Sequence, residues 1–490
     1  MGKRLLFVLL VVVLVCANLW GQSTGQINGT VTDSTGAVVR GAKVTATNPA
    51  TGFARPTATG DTGAYTITLL PPGTYDVTFE ASNFATVQQK GIAVAVGQSV
   101  TLNATLKPGG AHEVVEVTGE APLINTTNSE IGGSVSPTEV KDLPIVDRNF
   151  SGLMTLIPGV RPAEAFDPTK SRVGNVSLNG SDGRAVATSV DGGDDKDLVV
   201  GGMIQNFTME GIQEFNVLTN RYSAEAGHSV GGMVNVVTKS GTNAYHGTAF
   251  GLFQLSTTNK VNYFEKLGCP PGVDPGRCKS VFHRYQYGGS IGGPIVKDKL
   301  FFFGAVENKR EPGGLTVDAN AFQELTTFAA QTAGFPGGPY AFPVTTLPFP
   351  YIDWLVTAKL DWRVSDKQAM FFRYGREKWT NPNDQVGTPA VPFSVDGTQG
   401  NSTSNQFHDF VIGHNYVFSP TKVNSLNLHF QDFVNAILAA PLNTFTYPIA
   451  GGGVTTNPNI NFSDGSQVGQ NVNVPQETLI RKYQVRDDFS

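Results

Sequence analysis

The second half of the chain places apolar side chains at every second position over long stretches. Between Trp354 and Trp362 the even-numbered positions are apolar, whereas Lys359 and Asp361 lie between them. A period of two puts one face of a strand in an apolar medium and the other in a polar medium. A tilted strand needs about 9–11 residues to cross a bilayer, and this stretch is long enough. The pattern therefore predicts membrane-crossing strands and excludes a helical bundle for this half.

The connections between such strands alternate in length. Eight strands are predicted near residues 244–255, 281–293, 299–310, 351–363, 369–379, 405–417, 421–433 and 480–490. Long connections of 25, 40, 25 and 46 residues alternate with short turns at 294–298, 364–368 and 418–420. Long extracellular loops and short periplasmic turns are typical of outer-membrane barrels. We therefore expect an antiparallel transmembrane β-barrel over residues 242–490.

Aromatic residues are concentrated in the same half. Of the 31 Phe, 4 Trp and 13 Tyr, 12 lie in residues 1–241 and 36 in residues 242–490. Outer-membrane barrels carry aromatic girdles at both membrane interfaces, which accounts for an excess of this kind. The boundary between the two halves is therefore placed near residue 242.

Composition excludes several classes of function. The net charge is −5, whereas a nucleic-acid-binding domain usually carries a basic patch, so no nucleic-acid partner is expected. Seven His and three Cys leave little material for a metal cluster. The chain has no Walker-type loop and no paired carboxylate site. We therefore expect neither an enzyme nor a bound cofactor.

The N-terminus has the order of a secretory signal peptide. Lys3 and Arg4 precede an apolar run of 11 residues, Leu5 to Val15, and small residues follow at Ala17 and Gly21. The run is shorter than the ~20 apolar residues of a membrane-spanning helix, which disfavours the alternative of an anchor. Residues 1–21 are predicted to be an export signal.

Export changes the expectation for the remaining cysteines. Cys269 and Cys278 lie in a loop rich in Pro and Gly, and exported proteins meet an oxidising compartment. The alternative, a metal site, has only His283 as a nearby further ligand. The pair is a disulfide candidate.

Residues 26–107 alternate short strands with turns, which is typical of an all-β sandwich. The predicted strands are 27–33, 43–47, 64–70, 73–80 and 100–106. The tracts that carry a resemblance are Gly29-Thr-Val-Thr-Asp33, Gly36-Ala-Val-Val-Arg-Gly-Ala42, Asp61-Thr-Gly-Ala-Tyr65 and Leu70-Pro-Pro-Gly-Thr-Tyr-Asp-Val77. The segment resembles the carboxypeptidase regulatory-like domain, which implies a small seven-stranded β-sandwich without peptidase chemistry. Such a unit would bind a carbohydrate or a protein, or act as a structural spacer.

Residues 112–241 carry a series of short motifs. They are Asp142-Leu-Pro144, Arg148-Asn-Phe150, Leu156-Ile-Pro-Gly-Val160, Val176-Ser-Leu-Asn-Gly180, Val190-Asp-Gly192, Ile212-Gln-Glu-Phe-Asn-Val217, Tyr222-Ser-Ala-Glu-Ala-Gly227 and Gly231-Gly-Met-Val-Asn-Val-Val-Thr-Lys-Ser-Gly-Thr-Asn243. In this order they resemble the α/β plug domain of TonB-dependent outer-membrane transporters, specifically the Oar-like group that begins with such a sandwich. The tracts at 285–304 and 482–490 resemble the barrel of the same group.

The resemblance implies a segment that a periplasmic TonB-type energy-coupling protein pulls. By analogy this TonB box is Glu113, Val114, Val115, Glu116, Val117 and Thr118. The coupling protein binds such a box by strand addition, which needs an extended stretch with free backbone groups. The alternating residues here also predict an ordinary edge strand.

The predicted plug contains one acidic turn. Its carboxylates are Asp191, Asp194, Asp195 and Asp197. Carboxylates close together are calcium ligands in many proteins, but the spacing does not match an EF-hand loop. The turn is therefore a weak calcium candidate, and a solvated loop is the preferred interpretation.

Together these patterns predict a mainly β chain in which a signal peptide, a sandwich, a plug and a transmembrane β-barrel follow one another. The resemblance implies 22 barrel strands, so we expect an N-terminal fragment whose barrel is incomplete and whose sheet has exposed edges. The expected function is energised uptake of a small-molecule, carbohydrate or peptide ligand across the outer membrane. The alternative is a surface adhesion or export factor that uses the sandwich and loops to bind carbohydrate or protein. Expected partners are the coupling protein, the ligand and outer-membrane lipid.

Overall fold

The computed structural model describes most of the chain after residue 23. The described residues are 24–109, 114–118, 129–145, 148–163, 174–199, 201–222, 229–261, 263, 266, 274, 282–316, 319–335, 339, 346–348, 350–384, 401–419, 422–439, 446–449, 453–456, 460–463, 467–468 and 474–489. The predicted signal peptide lies outside these residues, as do Glu113, Cys269 and Cys278. No helix among the described residues is long and apolar enough to cross a membrane.

The first unit, here called the sandwich, is a pair of facing sheets. Its strands are β1 (Gly25–Asp33), β2 (Lys43–Asn48), β3 (Phe53–Ala58), β4 (Ala64–Leu70), β5 (Gly73–Glu80), β6 (Thr86–Val94), β7 (Ser99–Thr101) and β8 (Ala104–Leu106). One sheet has the order β4-β1-β7, with β8 also on β1, and the other has the order β3-β2-β5-β6-β9, where β9 is Val114–Thr118. Tyr75, Val77 and Phe79 of β5 are fully buried between the sheets. Each such burial contributes about 1.5–3 kcal/mol, which holds the two sheets together.

The last strand of the sandwich is split into β7 and β8. Both run parallel to β1, on either side of Gly29. A Cβ atom at Gly29 would clash with the carbonyl oxygen of Leu102, so only glycine allows this close approach. The described residues 25–106 therefore contain eight strands, where the resemblance implies seven and the alternation predicts five.

The second unit, residues 129–238, is here called the central unit. Its elements are β10 (Ile131–Val135), α1 (Pro137–Asp142), α2 (Ser151–Met154), β11 (Val160–Ala163), β12 (Asn175–Leu178), β13 (Val186–Val190), β14 (Gly193–Asp194), β15 (Ile212–Asn220) and β16 (Gly232–Thr238). Its main sheet has the order β10-β15-β16-β13-β14, in which only β13 and β16 are parallel. Phe150 of the helical side packs edge-on against Phe215 of β15, with 6.0 Å between ring centroids, and both are buried.

The remaining elements lie after residue 245. They are β17 (His246–Gln254), β18 (Arg284–Val296), β19 (Leu300–Glu311), β20 (Gly314–Thr316), α3 (Ala319–Thr332), β21 (Thr346–Pro348), β22 (Tyr351–Ser365), β23 (Gln368–Asp384), β24 (Asn401–Ser419), β25 (Lys422–Ala439), β26 (Thr446–Ile449), β27 (Gly453–Thr456), β28 (Ile460–Asn461), β29 (Gln467–Val468) and β30 (Gln476–Phe489). Eight of them form one antiparallel sheet, here called the long-strand sheet, in the order β17-β18-β19-β22-β23-β24-β25-β30. All eight predicted strands are present, and several extend further than predicted.

The long-strand sheet carries its polar side chains on the buried face. Asp353 and Lys359 of β22 are 3% and 6% exposed, whereas Trp354 and Trp362 on the other face are 46% and 49% exposed. This is the reverse of a soluble sheet, and it fits strands whose outer face meets lipid. Within the described residues, β17 and β30 are the two edges of the sheet, as expected.

An aromatic row crosses four neighbouring strands on the outer face. Tyr374, Phe410, Phe430 and Tyr483 are successive register partners, with ring centroids 4.8, 6.0 and 5.1 Å apart. Nearer the short turns, Phe418 packs against Tyr416 and Phe489. Phe410 and Phe418 are eight residues apart, about 27 Å along the strand and about 20 Å along the normal after tilt. The spacing matches the apolar band of an outer-membrane sheet.

The sandwich contacts both other units. The carboxylate of Glu214 on β15 accepts a hydrogen bond from the Val96 amide, and Gln213 donates to the Pro72 carbonyl over 3.1 Å. At the short-turn end of the long-strand sheet, Arg363 Nη1 donates to the Gly52 carbonyl over 2.9 Å. The sandwich therefore lies at the end of the sheet where the turns are short.

Candidate functional site

The hairpin between β13 and β14 projects from the central unit toward the polar face of the long-strand sheet. Its two turn residues, Asp191 and Gly192, have φ angles of 47° and 87°. Two successive residues with positive φ form the tight turn that suits antiparallel strands, and Asp-Gly is a preferred sequence for it. The acidic turn seen in the sequence is therefore a rigid tip with a defined direction.

Asp191 is buried at this tip and binds cations of the sheet. Its Oδ2 atom lies 3.1 Å from Arg373 Nε on β23, and its Oδ1 atom lies 3.4 Å from Lys359 Nζ on β22. The same carboxylate accepts hydrogen bonds from the amide and hydroxyl of Thr238, at 3.0 and 2.5 Å. Charge-assisted bonds of this kind are about twice as strong as neutral ones. Two cations of the sheet thus converge on one carboxylate of the central unit.

Arg373 also connects this tip to the next strands of the sheet. Its Nη2 atom lies 2.6 Å from Asp409 Oδ2 and donates to the Val190 carbonyl over 3.2 Å. Asp409 in turn lies 2.7 Å from His429 Nε2 on β25. All three side chains are buried. The cluster therefore joins three strands of the sheet to one hairpin of the central unit.

A third cation of the sheet holds the other side of the hairpin. Lys482 Nζ on β30 lies 2.9 Å from Asp194 Oδ2 and donates to the carbonyls of Asp194 and Lys196, at 3.1 and 2.8 Å. Gln484 accepts from the Asp194 amide over 3.1 Å. We call Asp191, Asp194, Lys359, Arg373 and Lys482 the ionic clamp, because its members join the central unit to the sheet.

Asp195 differs from its neighbours in the same turn. It is 3% exposed, and neither carboxylate oxygen has a hydrogen-bond partner. Burial, reinforced by the nearby Asp409 carboxylate, raises the pKa of Asp195 well above its usual value. A proton on this carboxyl removes a charge that the site would otherwise bury at high cost.

Further from the turns, other carboxylates of the sheet hold the central unit. Glu377 on β23 accepts from the amide and side chain of Asn206, at 3.0 and 3.2 Å. Glu307 on β19 accepts from the Thr208 hydroxyl over 2.8 Å and lies 3.6 Å from Arg148. These polar contacts lie beside a buried apolar cluster, in which Ile204 of the central unit packs against Phe407, Phe433 and Ile480 of the sheet.

A cavity of about 590 Å³ opens at the opposite end from the sandwich. Its lining residues are Leu143, Pro144, Ile145, Gly152, Leu153, Thr155, Leu156 and Arg284. Arg284 begins β18, directly after a long connection, and its Nε atom pairs with Glu311 Oε1 at 2.6 Å. The size lies within the range of ligand pockets, which are mostly apolar with a few polar groups.

The sequence-predicted site residues have different outcomes. Val114–Thr118 form a strand, β9, whereas Glu113 lies outside the described residues, as do the disulfide candidates Cys269 and Cys278. Of the four carboxylates of the calcium candidate, Asp191 and Asp194 bind protein cations, and Asp197 accepts from the Val199 amide over 2.7 Å. Among the described residues no group of three or more His, Cys, Asp or Glu side chains is arranged for a metal ion. The turn is also buried rather than solvated, which corrects the preferred sequence interpretation.

Sequence reasoning missed the cations that complete the clamp. Lys359, Arg373 and Lys482 appear only as polar positions in alternating strands. Their signal was available, since a charged residue on the polar face of such a strand must find a partner once that face is covered.

The chain matches two family models. Residues 26–107 match the carboxypeptidase regulatory-like domain. Residues 237–350 and 316–490 match the outer membrane beta barrel domain, and these two segments together cover more than half of the chain.

Individual proteins are also similar. The TonB-dependent transporter Oar of Myxococcus xanthus is 29% identical over 311 residues, covering 60% of this chain and 28% of Oar. Among solved structures, the outer membrane transporter YddB of Escherichia coli superposes with a TM-score of 0.51 at 11% identity, covering 73% of this chain and 45% of YddB. The siderophore receptor PirA of Acinetobacter baumannii has a TM-score of 0.43 at 15% identity, covering 73% and 48%. The chain spans less than half the length of each of these proteins.

These comparisons confirm several expectations. The resemblance to the Oar-like TonB-dependent transporters is confirmed, as are the mainly β fold class and the location in the outer membrane. The relatives are transporters and receptors, which agrees with the expectation that the chain is not an enzyme.

Proposed function

The chain belongs to the outer membrane beta barrel domain family, and on this premise we propose that it forms part of a TonB-dependent receptor that takes up a ligand across the outer membrane. In this proposal the long-strand sheet is barrel wall, and the central unit is the plug that blocks the lumen. The sandwich and the short turns face the periplasm, and the long connections face outward.

The ionic clamp is the observation that carries the proposal. A plug must close the lumen at rest. It must also be able to move out of the lumen while the barrel wall stays folded. Polar contacts such as Asp191 with Arg373 and Asp194 with Lys482 meet this need, because water can hydrate both partners once the central unit moves away from the sheet. An apolar interface of equal area would resist such wetting.

The cavity at the outer end supports a receptor role. It lies between the helical side of the central unit and the first residue of β18, so a ligand there would touch plug and wall together. A ligand that contacts both units can change how tightly they bind each other. Its lining is mostly apolar, which suits a small molecule.

Deleting residues 113–118 from the full-length protein in its host tests the proposal. A deletion of residues 120–125 shortens the same linker equally and leaves the candidate TonB box intact. We expect the first deletion alone to abolish copurification with the coupling protein and to stop energised uptake in a panel of labelled glycans, peptides and metal chelates. Uptake that survives the first deletion would show that residues 113–118 are not the box. If the intact protein takes up none of the panel but attaches cells to surfaces, and neither deletion changes that attachment, the transport proposal is wrong and the adhesion alternative is favoured.

A further inference from the structure

The candidate TonB box extends a sheet of the sandwich. Strand β9 pairs in parallel with β6, in the register Thr86 with Val114 through Lys90 with Thr118. In the sheet order β3-β2-β5-β6-β9, it is the terminal strand. The segment is therefore already extended and already hydrogen-bonded along one edge.

This strand is an addition to the sandwich rather than a part of its core. The carboxypeptidase regulatory-like model ends at residue 107, before β9 begins. The chain leaves the domain along the same edge, where Pro108 bridges to Phe84 and the Gly109 amide donates to the Asn83 carbonyl over 3.3 Å. The sandwich therefore offers the edge of β6 as a guide for the residues that follow it.

The opposite edge of β9 remains available. Successive backbone groups of a strand point to alternate sides, so pairing with β6 uses one set and leaves the other. Within the described part of the chain, no strand pairs with that second edge. An open edge of a sheet is a template for strand addition by another protein.

We propose that the sandwich presents the box, held extended on β6, so that the coupling protein binds as the next strand of the same sheet. This inference rests on the proposed function, because it takes the coupling protein as the partner. It predicts that the box stays on the sandwich during binding instead of leaving it. The ordering of the box then precedes binding, which strengthens association.

A disulfide between β6 and β9 tests the inference in the full-length protein. Gln88 and Glu116 are register partners, and neighbouring strands lie about 4.8 Å apart, within the Cα range of disulfides. Oxidised Gln88→Cys/Glu116→Cys protein cannot release the box. The matched control is Lys43→Cys/Glu80→Cys, a register pair between β2 and β5 whose side chains are exposed.

The readout is the Kd for the purified periplasmic domain of the coupling protein. We expect oxidised Gln88→Cys/Glu116→Cys protein to bind as tightly as the reduced form, or a few-fold tighter. A loss of about tenfold or more on oxidation, reversed by dithiothreitol and absent from the control pair, would overturn the inference because it shows that the box must leave β6.

Amide hydrogen exchange on the unmodified protein distinguishes a box that stays on β6 from a box that leaves it. With coupling protein bound, residues 114–118 should gain protection while residues 86–90 keep theirs. Binding that instead deprotects residues 86–90 overturns the inference and leaves the proposed function intact. Failure of every form to bind contradicts the proposed function itself, and the inference with it.

Discussion

Arg373 on β23 and Asp191 at the tip of the β13–β14 hairpin form a buried ion pair, with 3.1 Å between Nε and Oδ2. Arg373 is fully buried, and Asp191 is 3% exposed. Removing one partner of such a pair leaves the other charge buried without compensation, which is more costly than the pair is favourable. The pair therefore holds the central unit against the sheet chiefly because separating the partners inside the protein would leave a buried charge uncompensated.

Asp191→Asn tests this contact. We expect the substitution to destabilise the hairpin by about 3 kcal/mol, since Lys359 and Arg373 would then lack one neutralising charge. Amide hydrogen exchange of residues 186–194 measures the free energy of local opening. The control is Asp182→Asn, which removes a solvent-exposed pair with Arg184 in the same unit and should leave that exchange unchanged. Equal exchange in the two variants would contradict the role of the clamp.

Glu214 makes the contact between sandwich and central unit depend on pH. Burial raises the pKa of Glu214 from 4.5 to about 7, and the hydrogen bond from Val96 opposes the shift only in part. Stability from the protonated form is complete below about pH 4.5 and is lost as the pH rises through about 7. We therefore expect the sandwich to bind less tightly at pH 8 than at pH 5.

Distances between spin labels at Thr35 of the sandwich and Lys141 of the central unit report this docking. The distribution should broaden from pH 5 to pH 8 in the parent protein. Glu214→Gln keeps the acceptor oxygen but does not ionise, so its distribution should stay narrow at both values. The same broadening in Glu214→Gln would assign the pH dependence to another group.

Two apolar residues on the outer face of β22 measure the depth of the membrane. Leu360 is the register partner of Phe372 and lies between the aromatic row and the short turn, whereas Val364 lies beside that turn. Arginine on the lipid face costs about 2–4 kcal/mol at the midplane and about 0–1 kcal/mol near an interface. In urea unfolding of the full-length protein in lipid vesicles, Leu360→Arg should therefore be much more destabilising than Val364→Arg. Equal effects would show that this face does not meet lipid.

Cys269 and Cys278 remain a predicted disulfide. In exported protein denatured without reductant, peptide mapping should show that Cys269 and Cys278 do not react with a thiol reagent, and reductant should make both reactive. The predicted signal peptide carries the third cysteine of this sequence, Cys16, so its removal is part of the expectation. Two free thiols in unreduced protein would show that the cysteines are unpaired.

The local residue pattern predicts the strands, but it does not predict which side chains pair between the sheet and the central unit. Alternation around Trp354 and Lys359 predicted both the strand and its two faces, because that periodicity is a property of neighbouring residues. The pairing of Lys359 with Asp191 depends instead on where the whole central unit lies. The sequence favours a solvated loop for the acidic turn for the same reason, since nothing near it in the chain indicates burial.

The pairing of the candidate TonB box likewise depends on the rest of the fold. The sequence predicts a TonB-box candidate over Glu113 to Thr118, with an ordinary edge strand as the alternative, whereas the parallel pairing of Val114–Thr118 with β6 appears only in the structure. Parallel neighbours carry no turn signal between them, so their pairing is not visible in the residues alone.

The aromatic row has a consequence for the height of the wall. Two residues beyond it, toward the long connections, the outer face carries Arg376, His408, Asp432 and Arg481, again as successive register partners. Lipid contact must end between the two rows, because Asp432 and Arg481 form a 3.0 Å pair on that face. Strand β25 continues to Ala439, about 24 Å further along the strand. The upper part of the wall thus extends beyond the bilayer into water. Its outward residues need not be apolar, and an arriving molecule contacts this protein surface before it reaches the lipid.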